Sequence, residues 1–394
     1  MSEVKRCIIS GAPIMSERKW VKDHAIVMEE GIIKALIPAD MAKHHLPAKH
    51  YEFPADHCVI PGFIDLHVHG THGYDVMDGT EEALLAMSQA LAAEGITGFL
   101  ATTMTSDDER LEHALQTIAK TTIHQEKGAA VLGAHLEGPF IAPSKLGAHA
   151  SDEVRLPDSE LIKHWQAVAN GHIKIVTLAP ELPHALSLIK QLNNMDIIAS
   201  IGHTNATYEE TCTAIAAGCT QATHLFNAMR GIHQREPGAV SALLLSDKIA
   251  AEIIVDGLHL HPAIIDLALR VKGRERILLV TDAMRAKCLG NGRYELGGQL
   301  VNVDAGKATL EDGTLAGSTL RMPQAVKNMA DFTKCSLIDA ISMASSNAAK
   351  VLKMDTRKGD IAIGKDADVV VLSPDFDVLL TLRAGKEIYK AQHG

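Results

Sequence analysis

Lysine and arginine form no block anywhere in these 394 residues, and the formal net charge is −10. Nucleic acid and anionic membrane surfaces both select clustered cations, so neither is an expected partner. No continuous apolar run is long enough to cross a bilayer. Lys5-Arg6 is not followed by an apolar core of signal-peptide length. The six cysteines (Cys7, Cys58, Cys212, Cys219, Cys288 and Cys335) include no Cys-x-x-Cys pair. They read as free thiols in a reducing compartment, and the cytoplasm is the expected location. Internal repeats and low-complexity segments are also missing. What remains is a globular composition, 46% hydrophobic and 22% charged, in a chain too long for one ordinary core.

The expected fold class is α/β, a (β/α)8 TIM-like barrel with a small β-sandwich domain formed by the two ends of the chain. Residues 4–55 carry short alternating stretches at Arg6–Ser10, Ala25–Glu29, Ile32–Ile37 and near Tyr51–Phe53, which suit a small antiparallel sheet. Pro61-Gly62 marks a boundary. From Phe63 onward strand-like and helix-like stretches alternate. Strands are expected at 62–68, 96–101, 129–137, 173–178, 197–202, 220–224, 249–255 and 276–281. Helical stretches lie between them, and eight such alternations favour a closed barrel. A Gly-rich hairpin over residues 290–317 is expected as an insertion, with a lid as its suggested role. The tail strands, 361–372 and 378–382, are expected to complete the amino-terminal sheet. The resulting division is 1–57 with 355–394 as the small domain and 58–354 as the barrel.

Polar residues cluster at the ends of these apolar strands. Ala129-Ala-Val-Leu-Gly-Ala-His-Leu is small and apolar, and it runs into Glu137 just before Gly138-Pro139 stops the strand. A carboxylate buried there is costly unless it is paired or bound to metal. A structural Glu with an Arg partner is the plain alternative. However, the first strand ends in His67-Val-His69, whose side chains two apart share a face, the fifth in His203, the sixth in His224 and the eighth in Asp282. Barrel geometry converges such positions on one face, and this mixture of nitrogen and carboxylate donors suits a divalent metal. Zinc is the first choice, with iron or manganese as alternatives. The histidines around His44, His45 and His50 have no such strand context and read as a solvated loop. His233 and His261 are given no role.

Pro61-Gly-Phe-Ile-Asp-Leu-His-Val-His69 resembles the opening signature of the amidohydrolase superfamily, and Gly364-Lys-Asp-Ala-Asp-Val-Val-Val-Leu372 its closing strand. More narrowly, an ordered set resembles the N-acetylglucosamine-6-phosphate deacetylase family. It comprises His135-Leu-Glu-Gly-Pro-Phe140, Gly202-His-Thr-Asn-Ala206, Thr223-His-Leu-Phe-Asn-Ala-Met229, Arg235-Glu-Pro-Gly238, Asp256-Gly-Leu-His259, Val280-Thr-Asp282 and Leu315-Ala-Gly-Ser318. The resemblance implies one metal site at Glu137, His203 and His224 and a second at His67 and His69, bridged by Glu137. It therefore implies one or two ions per subunit. It also implies His149 as the residue that polarises the acyl carbonyl, His259 as a substrate contact and a homodimer as the assembly.

The expected reaction is hydrolysis of the acetamide of N-acetyl-D-glucosamine 6-phosphate to glucosamine 6-phosphate and acetate. Asp282 would take a proton from water and return it to the departing amine. An acidic protein cannot attract a phosphate monoester by its overall field, so local donors are needed. Arg235, Asn227 and the Ala228 amide are candidates, with Leu315 nearby, although Arg235 is equally readable as a surface ion pair with Glu236. The nearest rival is a deacetylase of another amino sugar, such as N-acetylgalactosamine 6-phosphate. Deaminases and cyclic amidases commonly use a carboxylated lysine or another acid as the bridge, which Glu137 opposes. A barrel that has lost catalysis and serves only for binding would be expected to have lost ligands, and none of the six is missing.

Overall fold

The computed structural model describes residues 6–44 and 47–392. Its centre is an eight-stranded, all-parallel sheet of β1 (Phe63–Val68), β2 (Ile96–Thr103), β3 (Ala130–Glu137), β4 (Ile173–Leu178), β5 (Ile198–Ile201), β6 (Gln221–Ala222), β7 (Ala250–Ile253) and β8 (Ile277–Leu279). Each strand pairs with the next in sequence order. The ring closes beyond the regular ladder, where Val68 bridges Ala283 in parallel and the Asp282 amide donates to the His67 carbonyl at 2.8 Å. This is a (β/α)8 barrel, as the alternation of apolar strands and amphipathic helices implies.

Local chemistry starts the helices where the sequence places them. Thr80 caps α1 (Glu81–Ala92) by accepting from the Ala83 amide, with Glu81 and Glu82 in the first turn beside the positive dipole end. Asp107 caps α2 (Asp108–His124) in the same way. Thr207 and Glu210 form a reciprocal capping box on the helix Tyr208–Ala217. β2 is buried at every position, as a strand covered on both faces must be.

The terminal strands depart from expectation in two ways. First, the amino-terminal sheet is mixed: Arg6–Ser10 pairs antiparallel with His24–Glu29 but parallel with Lys49–Glu52. Second, the tail strands do not extend it. Val369–Leu372, Val378–Arg383 and Lys386–Lys390 join Cys58–Pro61, Ile14–Ser16 and Lys19–Val21 in a separate six-stranded sheet. Val369 and Val371 share a core with Ile9, Ile26 and Ile33 of the first sheet, while Val370 and Leu372 face the barrel core. Period-two alternation along one strand thus glues the sandwich on one side and the barrel on the other.

The insertion is a three-stranded antiparallel sheet (Gly292–Leu296, Gln299–Asp304 and Lys307–Thr309) rather than a hairpin. Its Leu296, Val301 and Val303 pack with Met104, Ala148 and Met284 at the carboxyl end of the barrel. Of the discounted histidine cluster, His45 lies outside the described residues.

Candidate active site

The strands deliver their polar ends to one point. Glu137 is the last residue of β3, and Gly138 turns the chain at φ +75°, where a Cβ would lie 2.1 Å from Thr105 Oγ1. His203, His224 and Asp282 lie just past β5, β6 and β8, with φ of +47°, +29° and +46°. None is glycine, so each holds a backbone conformation that L-residues rarely adopt, and such strain concentrates where geometry matters more than comfort.

Glu137 sits at the centre, and its two oxygens divide the histidines between them. Oε1 lies 3.2 Å from His203 Nε2 and 3.0 Å from His224 Nε2. Oε2 lies 3.1 Å from His69 Nε2, 3.4 Å from His67 Nε2 and 3.5 Å from His149 Nε2. Asp282 Oδ1 closes the second group, 3.4 Å from His67 Nε2 and 3.3 Å from His69 Nε2. All of these residues are buried. All of them except His67 line a cavity of ≈ 330 Å³ that is also lined by Asn227, Ala228, His259 and Leu315.

The outer ring nitrogens fix what the inner ones can do. His67 Nδ1 faces Glu252 Oε2 at 2.9 Å, His69 Nδ1 faces the Thr102 carbonyl at 3.2 Å, and His203 Nδ1 faces the Lys145 carbonyl at 2.8 Å. Each partner only accepts, so each Nδ1 carries hydrogen and each neutral ring turns a lone pair inward. Yet His67 Nε2 and His69 Nε2 are 3.2 Å apart, and His203 Nε2 and His224 Nε2 only 3.0 Å. At His67 and His69, two lone pairs at that separation repel unless a cation sits between them, whereas the buried His224 Nδ1 has no hydrogen-bond partner and its ring is not fixed from outside. The donor set therefore fits a divalent metal at each pair, with Glu137 between.

Protons are the other cation the site can hold. Burial alone would lower the His67 and His69 pKa values. The Glu137 and Asp282 carboxylates, with Glu252 at His67, outweigh it, pushing His67 well above its ordinary range and His69 to about 9. In turn, despite burial, His67 with His149, His203 and His224 holds Glu137 well below the usual carboxylate range, and His67 with His69 does the same for Asp282. His149 differs. Its Nδ1 accepts the Thr105 amide at 3.2 Å, so its Nε2 carries hydrogen and points a donor at the site. Burial lowers its pKa to about 4, which keeps that ring neutral.

The remaining site candidates separate clearly. His259 Nδ1 donates to Asp256 at 2.6 Å, and the residue lines the cavity. Asn227 Nδ2 is partly spent on the His224 carbonyl at 3.2 Å, which weakens its expected role as a donor. Arg235 is not brought to the cavity. It lies on an exposed loop, and Glu236 faces Arg230 at 3.8 Å instead of pairing with Arg235. Glu252 went unnoticed in the sequence, as did Asp65, which accepts the Thr281 hydroxyl at 2.5 Å.

A (β/α)8 barrel with four histidines and two carboxylates converging at its carboxyl ends defines a metal-centred hydrolase. The chain belongs to the amidohydrolase family, whose model matches residues 58–388. It is 43% identical to the N-acetylglucosamine-6-phosphate deacetylase of Bacillus subtilis (strain 168), over 94% of this chain and 97% of that one. It is 36% identical to the N-acetylgalactosamine-6-phosphate deacetylase of Escherichia coli O157:H7, over 94% and 96% of the two chains. Among solved structures, it superposes with a TM-score of 0.91 on a mutant of the Mycobacterium smegmatis N-acetyl-D-glucosamine-6-phosphate deacetylase in complex with N-acetyl-D-glucosamine-6-phosphate. That pair is 32% identical, and the match covers 98% of this chain and 99% of the other.

Proposed function

We infer that this protein is a hydrolase that removes acetate from N-acetyl-D-glucosamine 6-phosphate, leaving glucosamine 6-phosphate. The carrying observation is the division of the Glu137 oxygens between two histidine pairs, on a chain similar throughout to deacetylases of that substrate. A divalent metal at these residues, zinc by the nitrogen-rich donor set, would supply Lewis acidity able to bring the pKa of water down to about 7. Glu137, His203 and His224 would hold one ion, and His67 and His69 with Glu137 a second.

The chain's own groups do the rest. Asp282, ionised and beside His67 and His69, takes the proton from the attacking water and hands it to the amine as the C–N bond breaks. His149, neutral with hydrogen on Nε2, donates to the acyl oxygen as charge develops there. His259, Asn227, the Ala228 amide and Leu315 would contact the sugar. Arg235 would read the phosphate, reaching it from its exposed loop or from a partner subunit's in a homodimer. The two terminal sheets are taken as the small domain, and the cytoplasm as the location.

The test is acetate release from metal-loaded protein with N-acetylglucosamine 6-phosphate, its galactosamine epimer and the unphosphorylated sugar. N-acetylglucosamine 6-phosphate is expected to be the preferred substrate. A larger kcat/KM for the galactosamine epimer would transfer the assignment to that sugar, whose deacetylase is also a relative.

A further inference from the structure

One fully buried carboxylate touches both halves of the site without lying in it. Glu252 is in β7, and its Oε2 accepts His67 Nδ1–H at 2.9 Å and the His224 backbone amide at 3.2 Å. Its Oε1 accepts Gln221 Nε2 at 2.5 Å. The two histidines belong to different pairs around Glu137, so one side chain joins them from behind.

The two attachments are unequal. His224 is also held through its carbonyl, which accepts from the Asn227 amide at 3.0 Å, and the adjacent Leu225 amide donates to the Glu252 carbonyl at 2.8 Å. Among the described residues, Glu252 is the partner that fixes the outer nitrogen of His67. His135, whose ring centroid lies 4.7 Å from that of His67, cannot substitute. Its Nδ1 is committed to the Leu66 carbonyl at 3.1 Å and its Nε2 to the Thr177 hydroxyl at 2.7 Å.

We propose that Glu252 is the positioning residue that decides whether the barrel keeps its second metal ion, by locking His67 with hydrogen on Nδ1 and the lone pair of Nε2 toward Glu137 and Asp282. Without that acceptor the ring can carry its hydrogen on Nε2 instead, and the His67–His69 side loses a ligand while the His203–His224 side keeps both of its own. This inference rests on the two-site reading above.

The experiment counts metal ions per chain, without substrate, after dialysis of zinc-loaded protein against a chelator of graded strength. Wild type, Glu252→Leu, Glu252→Gln and His67→Asn are compared, with the double variant His67→Asn/Glu252→Leu. Glu252→Leu is expected to hold one ion where wild type holds two, with the lost ion bound roughly 10- to 100-fold more weakly. Glu252→Gln should recover much of that loss. Its amide oxygen can take the place of Oε2, and Gln221 Oε1, buried and without a hydrogen-bond partner, can accept its amide hydrogen once Gln221 flips. If Glu252→Leu does not fold, the intermediate affinity of Glu252→Gln carries the measurement.

His67→Asn should lose the same ion, and adding Glu252→Leu to it should cost nothing more, because both act through one ring. Two ions held as tightly in Glu252→Leu as in wild type would overturn the proposal, as would equal loss of both ions or additive losses in the double variant. A wild-type chain that binds one ion would also overturn it. That result would leave the deacetylase reading intact, since the reading is judged by acetate release.

Discussion

The Asp65 carboxylate accepts the Thr281 hydroxyl at 2.5 Å, across the seam where the first barrel strand meets the last. The same carboxylate receives the His67 amide at 3.2 Å and the Thr281 amide at 3.3 Å, so it ties a site histidine to the residue before Asp282. Burial raises the Asp65 pKa to about 6 even with these donors. Thr281→Val removes the shortest of the three bonds and leaves the acid buried. A loss of about 1–3 kcal/mol is expected, read as a lower urea midpoint at unchanged m-value. An unchanged midpoint would mean that the seam is held by backbone pairing alone.

In the proposed reaction Asp282 is the group that moves the proton. Asp282→Asn keeps its size and its place beside His67 and His69 but cannot take a proton from water. We expect kcat to fall by roughly 10²–10⁴ with little change in KM, measured by acetate release. A variant within a few-fold of wild type would move the base to another residue.

The legible part of this molecule was what strand polarity and periodicity encode. Glu137 stood out because a charged residue ended a run of small apolar ones, and His67-Val-His69 because two polar residues shared one face of a buried strand. Glu252 carries the same signal in Ile249-Ala-Ala-Glu-Ile-Ile-Val255, but it lies mid-strand and not at the carboxyl end where the functional groups of a barrel collect, so its role is not legible there. The terminal sheets were less legible. Three-residue strands such as Ile14–Ser16 and Lys19–Val21 carry too few residues for alternation to register, and which edge a tail strand joins depends on packing far away in sequence. Arg235 shows the limit of a motif: its neighbours in sequence place it, but its exposed loop does not bring it to the cavity.

Metal removal should make stability depend on pH in a defined direction. In the metal-free site the His69 pKa is raised to about 9, against about 6.5 for an unfolded chain. Between those values the folded state binds more protons than the unfolded state, so stability is full below about 6.5 and is lost as pH rises through 9. Chelated protein should therefore melt progressively lower from pH 6.5 to 9. Metal-loaded protein should not, because the ion has replaced the proton. Parallel pH dependence of the two forms would contradict a shared site for metal and proton.

Arg235 tests whether phosphate is read from an exposed loop. If its guanidinium meets the phosphate equally in substrate and transition state, Arg235→Ala should raise KM by roughly 10- to 100-fold and leave kcat nearly unchanged. The preference for phosphorylated over unphosphorylated sugar should shrink by the same factor. Mixing Arg235→Ala with Asp282→Asn then asks whose site the arginine serves. If the chain forms a homodimer, recovered activity on mixing would place it across the subunit interface, and no recovery would mean that it serves its own chain's site.

His149 separates a ligand from a donor by its hydrogen. It stands 3.5 Å from Glu137 and near His203, close enough to be mistaken for a metal ligand. The Thr105 amide occupies its Nδ1, so in the neutral ring the hydrogen is on Nε2 and no lone pair faces Glu137. With its pKa lowered to about 4 by burial, the ring stays neutral through the working range, so its own titration should not shape the pH–rate profile above about pH 5. His149→Phe should therefore lower kcat by roughly 10²–10³, the cost of one donor to a developing oxyanion, with the metal content of wild type. Loss of an ion in that variant would reverse the hydrogen assignment and make His149 a ligand, because a pure donor has nothing to offer a cation.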